Sequence, residues 1–171
     1  MKKSIVTLLL FSIIFSLVAC SSLSVSEIDQ RYSIITDSKL SKEAKIAQLF
    51  LQEKGYKVIA YSSGTSSSYQ LTEEKLNDEQ DKYENYKWAL QGISPERYIG
   101  KTINNERFIV KNHPLDKWKS GSSVSEGKAY VDVMVIDGKA LGGVSAPYTK
   151  EKLVGKPFTL DGETLEEIKN K

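Results

Sequence analysis

One histidine, one cysteine and a scatter of carboxylates bound the chemistry open to this chain. To act as a general base, His113 needs a nucleophile and an orienting acid. Serines are plentiful, but none stands in a Gly-x-Ser-x-Gly turn. His113 directly precedes Pro114, so it reads as a loop-fixing or solvent-exposed histidine. Metal binding would fall to carboxylates such as Asp78, Glu79 and Asp81, which read instead as the solvated face of a helix. Neither metal nor cofactor is expected. Acids that hydrolyse a glycosidic bond stand roughly 5–9.5 Å apart in a cleft, and Asp132 and Asp137 are the places to look for such a pair. Gly138, Gly142 and Gly143 lack phosphate-loop spacing and read as turn and bulge. The remainder is aromatic: Tyr83, Tyr86 and Trp88 close together on one helix, with Tyr98 just beyond. Such a set can form a binding surface for sugar or peptide. Helical geometry turns Trp88 away from Tyr83 and Tyr86, which favours core anchoring.

The cysteine has a sharper context. Lys2 and Lys3 are followed by 15 residues, Ile5 to Ala19, that are apolar except for Thr7, Ser12 and Ser16. A bilayer-spanning helix needs roughly 20 residues, whereas the apolar part of a secretory leader runs about 7–15. The run closes on Leu17-Val18-Ala19-Cys20, which resembles the lipobox of bacterial lipoproteins. That resemblance implies that the Cys20 thiol takes up diacylglycerol as a thioether. It also implies cleavage between Ala19 and Cys20, leaving an amino group open to further acylation by a chain such as palmitate. Each buried methylene contributes about 0.8 kcal/mol, so two or more acyl chains hold stably where one holds reversibly.

Removing the first 19 of 171 residues leaves 152, the size of one domain. The whole chain carries 24 basic against 22 acidic residues, and the two leader lysines account for the excess. The balanced remainder offers no basic patch for nucleic acid. Its cation set is mostly lysine, with only Arg31, Arg97 and Arg107, and with the many Ile and Ser this leans toward a Gram-positive origin.

Three segments follow: a leader over 1–19, a lipidated and Ser-rich tether over 20–36, and a domain over 37–171. Within the tether, Tyr32 to Thr36 reads either as a strand or as the end of a brief helix. Asp37-Ser38 opens a helix in which Leu40, Ala44, Ala47 and Leu51 form the apolar stripe, and Gly55 ends it. A strand over 56–61 leads into a loop over 62–68. A second helix spans 73–91 behind Thr72 as N-cap, with Leu76, Gln80, Tyr83, Lys87 and Leu90 on one face. Arg107 to Lys111 is a strand that Thr102-Ile103 can join, and 120–127 is a second loop. Ala129, Val131, Val133 and Val135 share one strand face, with Tyr130, Asp132, Met134 and Ile136 on the other. Asp137-Gly138 suits a type I′ turn, 139–146 returns as the partner strand, and Asp161 caps a last short helix.

The expected fold class is α+β, a mainly antiparallel sheet with helices packed on one face. Residues 40–147 also resemble an uncharacterised domain of Gram-positive secreted and membrane-anchored proteins. The likeness is carried by Gly55-Tyr56-Lys57-Val58, Tyr98-Ile99-Gly100-Lys101, Phe108-Ile109-Val110 and Val135-Ile136-Asp137-Gly138-Lys139 with Gly142-Gly143. Val144 stands where that domain would carry Asp. The domain implies no activity. The functional expectation is a non-enzymatic lipoprotein on the extracytoplasmic face of the cell membrane, held through Cys20 and binding an envelope protein or cell-wall component. The alternatives are an envelope hydrolase working through carboxylates and an inhibitor or immunity-type surface protein.

Overall fold

Val131, Val133 and Val135 alternate with Tyr130, Asp132 and Met134, and this period of two lays out the sheet. Their strand, β5 (Ser123–Ile136), turns at Asp137 and Gly138 with φ of 49° and 74° and returns as β6 (Lys139–Thr149). Both central positions take the left-handed conformation that a type I′ turn requires. The computed structural model describes residues 33–34, 40–78, 82–151 and 153–171. The leader, Cys20, most of the tether, Asp37, Ser38, Glu79, Gln80 and Asp81 lie outside the described residues.

On its other side β5 pairs with β3 (Thr102–Lys111), and β3 pairs with β2 (Lys57–Gln70), every pairing antiparallel. Short strands β1 (Ser33–Ile34) and β7 (Phe158–Thr159) complete the order β1-β2-β3-β5-β6-β7. A further two-residue strand, β4 (Lys119–Ser120), pairs only with the start of β5. This is the expected α+β body with its antiparallel sheet.

The valine face of the sheet is covered by α1 (Lys42–Glu53), which buries Ala44, Ala47 and Leu51 against Phe108, Val110, Val131, Val133 and Val135. The Ser41 hydroxyl accepts the Ala44 amide at 2.9 Å and caps the helix, a contact of about 1 kcal/mol. The opposite face carries two separate apolar clusters. One gathers Leu71, Ile103, Met134 and Ile136 around Trp88 of α3 (Lys82–Gln91); the other gathers Ala60, Ile109 and Tyr148 with Tyr130. The helices therefore divide, α1 lying broadly over one face and α3 against a corner of the other.

Several segments depart from their local signals. The serine run after Tyr61 is strand, not loop, because β3 pairs along its length on both sides of a four-residue bulge at Ser63–Ser66. Within the bulge Thr65 donates to the Ser62 hydroxyl at 2.7 Å and Ser66 to the Ser62 carbonyl at 2.9 Å. Thr102-Ile103 belongs to the same strand as Arg107–Lys111. The small residues over 120–127 form a hairpin between β4 and β5, turned at Gly121 with φ of 56°. The long helix is broken: α2 (Glu73–Asn77) stops where Asp78 turns extended, and α3 begins at Lys82. The face that α3 buries is Glu84, Lys87, Trp88 and Leu90, so Tyr83 is not part of it. Glu84 and Lys87 pair there at 2.6 Å. The last helix, α4 (Leu165–Lys169), is capped by Thr164.

Asp161, released from capping, ties the C-terminal segment to the body. It accepts from Lys54 at 3.0 Å and from the Tyr56 hydroxyl at 2.8 Å. His113 sits beside them with its ring 4.8 Å from that of Tyr56. Its Nδ1 accepts the Leu115 amide at 3.1 Å and its Nε2 faces the Leu160 carbonyl at 2.8 Å. This set of partners holds the neutral imidazole with its proton on Nε2. Burial pulls the imidazole below its usual pKa, against the raising influence of the Leu160 carbonyl, Asp116 and Asp161. Burial pushes the Asp161 carboxyl up, but the hydrogen bonds from Lys54 and Tyr56 outweigh it and hold the group low. For both groups the unfolded chain binds the proton more readily than the fold, so acid removes stability. The expected melting temperature is level above about pH 7 and falls below about pH 6.5 as unfolded histidine takes its proton. A second decline follows below about pH 4, where the Asp161 contribution is lost. In His113→Gln the first decline flattens; a profile parallel to the parent would contradict the assignment.

Candidate functional site

Arg107 on β3 and Asp132 on β5 are directly paired in the sheet register, so their side chains leave the same face side by side. Nε donates to Oδ1 and Nη2 to Oδ2, each at 2.5 Å, a two-pronged contact that fits the planar guanidinium to the carboxylate. The pair stands between the two apolar clusters of that face, with the Asp132 side chain only 16% exposed and that of Arg107 35%. An unpaired charge at such a depth would cost several kcal/mol, which the mutual contact offsets.

Around this floor lies a cavity of about 480 Å³, inside the range of roughly 300–1,000 Å³ typical of small-ligand sites. Tyr83 of α3 forms one wall and Tyr130 of β5 another; Val144 to Pro147 of β6 and the following segment, with Lys150, Glu151, Leu153 and Pro157, complete it. Tyr83 is about half exposed. Its partial burial, and then the charge of Asp132, push the hydroxyl above its usual pKa, while Arg107 pulls it back. Tyr130 packs at a tilt against Tyr148 with centroids 4.8 Å apart, and Lys128 lies 4.6 Å over the Tyr148 ring.

The position of the β6 wall is set by glycine. Leu141 is the extra residue of a bulge, since Met134 pairs with Gly142 and Val135 with Ala140. At Gly143 an added Cβ would lie 2.1 Å from the Asp132 carbonyl oxygen. The paired glycines are thus a bulge and a close backbone approach, as their position within a strand suggests. On the outer side Gln91 of α3 grips the same residue, donating to the Gly143 carbonyl at 2.6 Å and accepting its amide at 2.9 Å. A side-chain amide here takes the place of a neighbouring strand.

The aromatic residues singled out in the sequence do not form one surface. Trp88 is 1% exposed and stacks on Tyr98 at 5.6 Å, so these two anchor α3 to the core. Tyr86 is half-buried under Lys156, 5.2 Å from its ring. Tyr83 alone of the four lines the cavity. Of the acids, Asp132 forms the floor and Glu151 also lines the cavity, whereas Asp137 pairs with Lys101 at 2.9 Å in the turn. His113 is on the opposite face of the sheet, fixing a loop with both ring nitrogens. Arg107 and the β6 wall were not apparent as site residues, because 25 residues separate Arg107 from Asp132 and only the β3–β5 register joins them. Among the described residues no group of three His, Cys, Asp or Glu is gathered for a metal. Comparison with known proteins found no family model, curated sequence or solved structure that matches the chain.

Gly143→Ala would drive β6 away from Asp132 and disturb the floor of the cavity. The expected loss of stability is about 3 kcal/mol, measured by urea unfolding. Gly64→Ala, where an added Cβ meets nothing within 4 Å, serves as the control and stays within about 0.5 kcal/mol. Equal effects at the two positions would refute the close approach.

Proposed function

We propose that this chain is a lipoprotein held by Cys20 on the outer face of the cell membrane, where its domain binds another component of the envelope. The anchoring half rests on the basic start, the 15-residue apolar run and Leu17-Val18-Ala19-Cys20. Among the described residues no helix is long and apolar enough to cross a membrane. The binding half is carried by one observation: a preformed cavity with aromatic walls whose central charges, Arg107 and Asp132, already satisfy each other. A carboxylate whose two oxygens both face a guanidinium is poorly placed to act as acid or base. The single histidine is likewise committed to backbone partners on the other face. These placements favour recognition over hydrolysis.

The test is membrane fractionation of the full chain beside Cys20→Ala. The parent is expected in the membrane pellet and the variant in the soluble fraction, with the two melting temperatures equal to within about 2 °C. Retention of Cys20→Ala in the pellet, or mass spectrometry of the parent showing a free thiol at that position, would overturn the anchor.

A further inference from the structure

We infer that the cavity beside Arg107 and Asp132 takes an uncharged, polyhydroxylated ligand, a short segment of a neutral glycan. The inference rests on the binding role proposed above and names its ligand class. Charge is the first constraint. Arg107 and Asp132 neutralise one another, so the floor presents no net charge to draw an anion or a cation. At the mouth Lys150 and Glu151 carry opposite charges, so no net field selects an ion there.

Hydrogen bonding is the second constraint. An ionised carboxylate offers about four lone-pair sites, and the guanidinium occupies two on Asp132. The others accept hydroxyl donors without disturbing the pair. Tyr83 adds a half-exposed ring and a hydroxyl held protonated, and Tyr130 adds a second ring. A sugar presents an apolar C–H face to such rings and hydroxyls to such a floor, which matches this combination of groups.

The third constraint separates a glycan from an extended peptide, which would bind by adding a strand to the β6 edge. That edge is already closed. Gly143 is bonded on its outer side to Gln91, Ser145 pairs with Phe158 of β7, and Pro147 has no amide hydrogen to give. The backbone ladder on which a peptide depends is absent along the wall of this cavity.

The full lipidated chain in sugar-free detergent micelles is titrated calorimetrically with chitotetraose, with maltotetraose and with an end-blocked alanine tetrapeptide. Saturable binding is expected for at least one oligosaccharide and not for the peptide. Tyr83→Ala, checked by its melting curve to be folded, is expected to weaken that binding about tenfold. Three results would overturn the inference: no heat with either oligosaccharide, binding of the peptide instead, or oligosaccharide affinity unchanged in Tyr83→Ala. Membrane fractionation of the same preparation reads anchoring separately. A chain held in membranes that binds neither sugar defeats the glycan assignment and leaves the anchored-module reading intact. A chain that binds sugar but is not membrane-held does the reverse.

Discussion

The contact between Arg107 and Asp132 is a two-pronged ion pair at the middle of the sheet. It ties the two central strands at one register position, on a face where apolar clusters lie to either side. A slip of one residue between β3 and β5 would turn the side chains of the slipped strand to the wrong face and part the two charges. The pair thus works against misregistration as well as for stability, and it leaves a floor that is polar but has no net charge.

The walls are consequences of how the rest of the sheet closes around that floor. Gly143 allows β6 to come within contact of the Asp132 backbone, and a side chain there has no room. Unpaired strand edges invite association with other chains. Here the edge of β6 is finished by three unlike devices in succession: the Gln91 amide, the two residues of β7 and the ring of Pro147, which has no N–H. Because α3 supplies both Gln91 and Tyr83, the helix that seals the edge also roofs the cavity. On the other face His113, Tyr56, Asp161 and Lys54 draw the C-terminal segment onto the body. That brings Leu160 into the main core.

Features set by neighbours in sequence were legible, and those set by distant partners were not. The valine alternation of β5, the Asp137-Gly138 turn, the stripe of α1 and the glycine pair all declare themselves within a few residues. The serines of β2 have weak strand preference and by themselves read as loop. Pairing with the buried strand β3 overrides that preference. The charged stretch from Thr72 to Gln91 looked like one helix, and the extended backbone of Asp78 divides it. Asp161 looked like a cap, but its hydrogen bonds go to Tyr56 and Lys54, more than 100 residues away in sequence. Asp132 stood out among the acids, yet its partner is defined only by register. The proposal for Cys20 rests entirely on local context, since a secretory leader is a linear signal.

A double-mutant cycle of Arg107→Gln and Asp132→Asn, read by urea unfolding of the full chain, tests most directly whether this pair is the fixed centre of the site. The account predicts that the two substitutions are strongly coupled, with an interaction energy of about 1–3 kcal/mol. Additive effects, with coupling below about 0.5 kcal/mol, would mean that the two side chains do not hold one another and that the neutral floor does not exist.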